Sequence, residues 1–244
     1  MSHKFFVPPE QIVSKHIKLT GSDVAHIRKV LRLKVGASIQ VINGSDQLLT
    51  VRLVKLTPKE VRGEIIASEK FDVESPLDVH LGLALTKGNK FDVALRASVE
   101  LGVNSVTSLT TDRCVVKKHH AKNKIERWKK IVLESSKQCG RTKVPLVADD
   151  IESLEIFCRH NNGRDIKLIF WEREANRSIE SINFDQVPFS VAVLIGPEGG
   201  FSLDEINMVR EFGFQAVRVG PRIIRAETAP IVVLALLQSL WGDL

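Results

Sequence analysis

Cysteine is scarce. The three present, Cys114, Cys139 and Cys158, are odd in number, widely spaced and without a CxxC pair. They give neither a disulfide framework nor a cysteine zinc site, and reduced thiols are expected. Long apolar runs are missing too. The longest, Ile231 to Leu237, falls far short of the about 20 residues that cross a bilayer, and the start Met1-Ser2-His3-Lys4 has no apolar core of signal-peptide type. The expectation is a cytoplasmic protein with no membrane partner. Phosphate-loop patterns are absent, since neither GxxxxGKS/T nor GxGxxG occurs. No internal repeat or low-complexity tract is visible.

What is present is an ordinary globular composition: 244 residues, 43% hydrophobic and 26% charged, enough for one or two packed domains. The formal charge of +6 is unevenly spread. Residues 1–72 carry 12 basic and 7 acidic side chains, and residues 111–143 carry 11 basic and 3 acidic. Two positive regions suit a polyanion, because neutralised phosphates release counterions. Charge by itself does not separate that reading from a solubilising surface.

The first seventy residues read as a compact β unit. Ser22 or Asp23 caps a short helix with Val24, Ile27, Val30 and Leu31 on its apolar face and Arg28, Lys29 and Arg32 opposite. Strands are expected over 38–42, 48–56 and 61–67, with the turn Asn43-Gly44-Ser45-Asp46 between the first two. They suggest a small antiparallel barrel. The segment from Phe71 to Pro76 reads as a linker, giving domains 1–72 and 73–244. Beyond it, strands (79–85, 105–109, 167–171, 191–195, 216–219) alternate with helices (91–101, 125–138, 203–212, 229–241), the pattern of an α/β fold with a mainly parallel sheet. Ser202 and Glu205 form a capping box, and Gly213 stands where that helix should end.

Two turns stand out. Gly196-Pro197-Glu198-Gly199-Gly200-Phe201 and Gly220-Pro221-Arg222-Ile223-Ile224-Arg225 each leave an expected buried strand and precede a helix. Ligands of open parallel sheets bind beyond the carboxyl ends of strands, so the turns can form opposite lips of one crevice. Glu198 would repel a pyrophosphate, which disfavours an anionic cofactor.

The segments Leu194 to Ser202 and Val219 to Ala229 closely resemble the small-subunit ribosomal RNA uracil-N3 methyltransferase family of the SPOUT superfamily. Glu100-Leu101-Gly102-Val103, Gln138-Cys139-Gly140-Arg141, and His26 with Val30-Leu31-Arg32 match as well, so the resemblance spans nearly the whole chain. It implies a PUA-like RNA-binding β-barrel domain followed by an α/β domain whose carboxy-terminal part threads a trefoil knot, with the apolar run Ile231 to Leu240 as a buried helix. It also implies a homodimer and S-adenosylmethionine as cofactor, contacted by Leu194, Ile195, Gly196, Glu198, Gly199, Gly200, Val219, Gly220, Ile223, Ile224, Arg225 and Thr228, with Leu168 and Trp171 in the same pocket. The activity implied is methylation of uridine N3 in ribosomal RNA, free or in the small subunit.

That reaction needs the imide proton removed. A guanidinium favours the uracil anion, and a carboxylate or water accepts the proton. Arg225 and Arg141 are candidates for the first role, Glu227 and Glu198 for the second. Each has a structural rival: Glu227 would stabilise the first turn of a helix, or pair with Arg225. Cys139 reads as a small buried side chain, and Trp128, with Ile125 and Val132, as core. RNA contacts are expected from Lys4, Arg28, Lys29, Arg32, Lys117, Lys118, Lys122, Arg127, Lys129 and Lys130. His119 and His120, adjacent in sequence, suit a solvated loop rather than a metal. The alternatives are a SPOUT enzyme acting on another RNA and a non-catalytic RNA-binding ribosome-assembly protein.

Overall fold

The computed structural model describes residues 4–174, 177–179, 182 and 187–244. Met1 to His3 and the side chain of His120, half of the histidine pair, lie outside the described residues. The chain forms two compact units, Met1–Glu74 with Ser136–Val144, and Ser75–Ser135 with Pro145–Leu244.

The first unit holds β1 (Lys4–Phe6), β2 (Ile12–Val13), β3 (His16–Thr20), α1 (Ser22–Ala25), β4 (Ser38–Ile42), β5 (Gln47–Leu56) and β6 (Glu60–Lys70). Its sheet runs β1-β4-β5-β6-β3-β2, antiparallel except for β1 beside β4. Alternating inward residues, Ile17 and Leu19 on β3 and Leu49, Val51 and Leu53 on β5, meet in one core. The expected helix after Gly21 is a single α turn that widens into a π turn over His26–Val30, closed by Leu31 N–H donating to the His26 carbonyl at 2.9 Å. The extra residue in that turn rotates the end of the helix off the core. Val24 and Ile27 are buried, but Val30, expected beside them, is 70% exposed.

Ser136–Val144 joins this unit through the Glu74 carboxylate. Its Oε2 accepts from Arg141 Nε (3.1 Å) and Nη2 (2.6 Å), and its Oε1 from the backbone N–H groups of Thr142 and Lys143, each at 3.0 Å. Burial pushes the Glu74 carboxyl up, but Arg141 and these donors outweigh it and hold it below the ordinary carboxylate range. Lys137 adds an ion pair to Asp23 at 3.1 Å. Cys139, expected to be buried, is exposed. It is the last residue of its helix, and Gly140 comes next at φ 82°.

The second unit contains β7 (Asp78–Ala84), α2 (Lys90–Glu100), β8 (Ser105–Thr110), α3 (Lys118–Lys122), α4 (Ile125–Cys139, whose last turn belongs to the first unit), β9 (Leu146–Val147), β10 (Glu152–Ser153), α5 (Leu154–His160), β11 (Ile166–Phe170), β12 (Ser190–Ile195), α6 (Leu203–Glu211), β13 (Gln215–Val217) and α7 (Ala229–Trp241). Strand order is β10-β8-β7-β12-β11-β13, with β9 also on β8, and every pairing is parallel. Strand β12 is apolar on both faces and β7 is buried along most of its length, as a sheet covered on both sides requires. The capping box of α6 is present, and Gly213 lies beyond its end at φ 81°. On α4, Trp128 is buried with Ile125 and Val132 and donates through Nε1 to Asp92 at 3.1 Å. Gln238, buried on the mostly apolar α7, accepts from Ser75 Oγ (2.6 Å) and donates to the Leu101 carbonyl (3.1 Å).

His80 on β7 is fixed as one tautomer. Asn161 Nδ2 donates to the Phe157 carbonyl, so its Oδ1 faces His80 Nδ1–H at 2.7 Å, while Nε2 accepts from Thr107 Oγ1 at 2.9 Å. Burial lowers the His80 pKa to about 4.

Two outcomes are expected. Glu74→Ala leaves the Arg141 guanidinium, 7% exposed, without its anion; chemical denaturation should show a loss of about 3–5 kcal/mol. Because His80 takes up a proton more readily unfolded, its contribution is full above about pH 6.5 and is lost as pH falls towards about 4. Stability measured against pH should drop by on the order of 3 kcal/mol across that window, and His80→Phe should flatten the slope there.

Candidate active site

Three parallel strands of the second unit end side by side. β11 lies between β12 and β13, with Phe170 level with Ile195 on one side and Val217 on the other. The later strands flank the earlier one, so the winding reverses here, which is where open α/β sheets take ligands. A cleft of about 520 Å³ opens beyond the three strand ends.

The first lip is the turn after β12. Gly200 N–H donates to the Pro197 carbonyl at 2.9 Å. Gly200 sits at φ 66°, which favours glycine; a Cβ there would lie 2.8 Å from Glu172 Oε1, so the Glu172 carboxylate would have to swing aside. Glu198 folds towards α2, accepting from Lys90 Nζ at 3.0 Å and the Lys87 N–H at 3.2 Å. Burial pushes its carboxyl up, but its own N–H, Lys90 and Lys87 hold it below the ordinary value, so it is an anion at neutral pH. The second lip, from Arg218 to Glu227, leaves Pro221, Arg222, Ile223 and Arg225 exposed.

Of the residues singled out from sequence, Trp171, Ile195, Gly196, Glu198, Gly199, Gly200, Val219, Gly220, Ile223, Ile224, Arg225 and Glu227 line this cleft. Leu168, Leu194 and Thr228 do not. Leu168 and Leu194 are fully buried, and Thr228 stands at the N-cap position of α7 without a side-chain capping hydrogen bond. Glu227 therefore precedes the helix instead of lying in its first turn. Arg141 is outside the cleft lining, its guanidinium taken by Glu74. The cation beside Glu227 is Lys90, whose Nζ is 3.9 Å from Oε2, and not Arg225. Sequence reasoning misses Lys90. The signal for it is Lys87-Gly88-Asn89-Lys90, a third strand-to-helix turn at the same sheet edge, after β7.

Several of the expected RNA cations have local partners. Lys118 and Lys122 face Asp150 at 3.4 and 3.9 Å, Lys129 pairs with Glu126 and Asp149, and Arg127 pairs with Asp92. Lys4 lies over the Phe71 ring at 4.2 Å. Arg28, Lys29, Arg32, Lys117 and Lys130 have no ion pair among the described residues, and all five are exposed.

A parallel α/β sheet with a glycine-lipped cleft at its switch point, in a chain that also carries a small β unit, describes a class of ligand-binding α/β proteins, and comparisons with known proteins narrow it. Residues 73–238 match the model of an RNA methyltransferase domain, and residues 19–66 that of an RNA methyltransferase PUA domain. The chain belongs to the ribosomal RNA small subunit methyltransferase E family. A protein of that name from Buchnera aphidicola (subspecies Schizaphis graminum) is 32% identical over 99% of this chain and 96% of its own. Among solved structures, a Legionella pneumophila putative methyltransferase in complex with S-adenosylmethionine is 32% identical, with a TM-score of 0.90 over all of both chains. A Neisseria gonorrhoeae small subunit methyltransferase E bound to S-adenosylmethionine is 32% identical, with a TM-score of 0.89 over 100% of this chain and 99% of that one.

The cleft fits that cofactor. Trp171 and Glu227 line it, and the Nε1 of the first, a donor, and the Oε2 of the second, an acceptor, are buried and lack hydrogen-bond partners among the described residues. Each costs about 1–3 kcal/mol unless a ligand satisfies it. Glu198 and Glu227 suit a cationic sulfonium and ammonium. Gly200→Ala, which forces a side chain to φ 66° and against Glu172, should weaken S-adenosylmethionine binding at least about tenfold by calorimetry while costing only about 1–2 kcal/mol of stability.

Proposed function

We propose that this protein methylates N3 of a uridine in small-subunit ribosomal RNA, with S-adenosylmethionine as donor. The observation that carries the reading is the convergence of two glycine turns and three carboxylates, Glu172, Glu198 and Glu227, on one cleft at the switch point of a parallel sheet. When bound, the cofactor supplies an electrophilic methyl group on a positively charged sulfur. The turns Gly196–Gly200 and Gly220–Ile224 would hold it through their backbone groups, Trp171 would donate from its indole N–H, and Glu198 and Glu227 would offset its charge.

N3 of neutral uracil is a poor nucleophile. Arg225, exposed on the second lip, stabilises the imide anion, and Glu227, its Oε2 without a hydrogen-bond partner among the described residues, accepts the proton. Holding the nitrogen in line with the methyl group supplies the further acceleration of proximity. Arg141 keeps a structural duty under Glu74. The target uridine is splayed from its helix or loop to enter the cleft, while Arg28, Lys29, Arg32, Lys117 and Lys130 take phosphates. Residues 1–72 serve as the RNA-binding domain and 73–244 as the catalytic one. The reading includes the trefoil knot around α7, a homodimer and a cytoplasmic site of action.

Ribosomal RNA from cells lacking the protein should be without 3-methyluridine by nucleoside mass spectrometry; an unchanged level overturns the reaction. Complementation with Arg225→Ala should leave turnover lower by on the order of 10²–10³-fold, with donor affinity changed far less. Wild-type turnover would remove Arg225 from the chemistry.

A further inference from the structure

The peptide between Gly199 and Gly200 is flanked by the two residues least able to hold it in one orientation, because glycine populates positive and negative φ with similar ease. It is nevertheless held at both ends. Its N–H, from Gly200, donates to the Pro197 carbonyl at 2.9 Å within the turn. Its carbonyl, on Gly199, accepts from Arg113 Nη1 at 2.8 Å. That second hold comes from the loop after β8, and the Arg113 side chain packs so closely that a Cβ on Gly199 would lie 3.0 Å from the Arg113 Cβ.

The loop carrying Arg113 is anchored without the guanidinium. The Asp112 N–H donates to Glu205 Oε1 at 2.8 Å, Ser202 Oγ donates to Asp112 Oδ2 at 2.7 Å, and the Cys114 N–H donates to the Thr111 carbonyl at 3.0 Å. Glu205 is largely buried and shares its other oxygen with the Ser202 N–H in the capping box. The arginine thus projects from a fixed base onto the most rotatable peptide of the first lip.

We infer that Arg113 is a positioning residue for methyl-donor binding, holding the Gly199–Gly200 peptide in the orientation that the cleft wall needs. A flipped peptide exchanges a carbonyl for an N–H in the wall, which reverses its hydrogen-bonding sense towards a ligand. The inference rests on the reading of the cleft as the donor site.

The full-length protein, Arg113→Ala and Arg113→Lys should be compared in two measurements. Without ligand, amide hydrogen exchange followed by NMR should show Gly200 N–H exchanging faster in Arg113→Ala, with partial recovery in Arg113→Lys. In calorimetry with S-adenosylmethionine, Arg113→Ala should raise Kd about tenfold, equivalent to about 1.4 kcal/mol. The loss of activity should fall more on KM for the donor than on kcat. Unchanged Gly200 exchange together with unchanged donor Kd overturns the inference. So does weakened RNA affinity with an unaltered donor Kd, which would make Arg113 a phosphate contact, or a lowered Tm with KM and kcat falling together. If the wild type gives no heat with S-adenosylmethionine, the donor reading fails, and the exchange measurement still decides whether Arg113 holds the peptide.

Discussion

The cleft exists only while β11 keeps its register against both neighbours. Strand β12 is apolar on both faces, so hydrophobic alternation cannot set that register, as it does where one face meets water. Polar groups at the strand ends set it instead. Asp165, one residue before the first ladder pair Ile166–Val191, accepts at Oδ2 from the N–H groups of Phe189 and Ser190 and from Ser190 Oγ, at 2.9, 2.9 and 3.0 Å. Those donors hold its carboxyl below the ordinary range, with the Ser190 N–H the largest cause. At the other end, the Trp171 N–H donates to the Val217 carbonyl at 2.9 Å. A slip at either end would carry Gly196 away from Trp171 and dissolve the site without breaking the core.

The charge of the cleft comes from the same geometry. Glu172, Glu198 and Glu227 line it against Lys90, Arg218, Arg222 and Arg225. The arrangement is close to balanced, unlike a phosphate cradle, where backbone donors and cations face the ligand without carboxylates. Lys90 is central to it, since it reaches both Glu198 at 3.0 Å and Glu227 at 3.9 Å and so ties the start of α2 to both lips. A lysine there sets one positive charge within reach of both carboxylates.

Much of this was legible in the sequence because strong local signals agreed with the fold. Apolar runs bounded by Gly-Pro turns marked β12 and β13, and Ser202 with Glu205 marked the start of α6. The hidden parts depend on partners remote in sequence. β1 has three residues and takes its form from β4. α5 has seven and comes directly after a two-residue strand. The π turn that exposes Val30 obeys neither helical nor strand periodicity. Arg141 reads as a lone cation until Glu74, far back in the chain, is seen to take it, and the basic run on α3 and α4 reads as uncompensated until Asp149 and Asp150 come beside it. Motif resemblance found the glycine lips and missed Lys90, because an ion pair leaves no periodic trace.

The two lips differ in how firmly the fold holds them, and the difference matches what each must do. The first is fixed from behind by Phe201, 1% exposed, whose ring would stand 3.1 Å from a Cβ on Gly196. It is fixed from the front by Lys90 and Glu198, and it runs directly into a capped helix. A methyl donor must be held to within a fraction of an ångström for transfer to be fast, and a lip with this much packing can do it. The second lip turns at Gly220, φ 64°, with nothing among the described residues within 4 Å of where a Cβ would be, and Ile223 is 84% exposed. Its arginines reach towards solvent, where a polyanion arrives, and its apolar tip stands open beside them. The donor cradle proposed above therefore has one rigid wall and one open wall, and on that reading RNA reaches the gap across the open one.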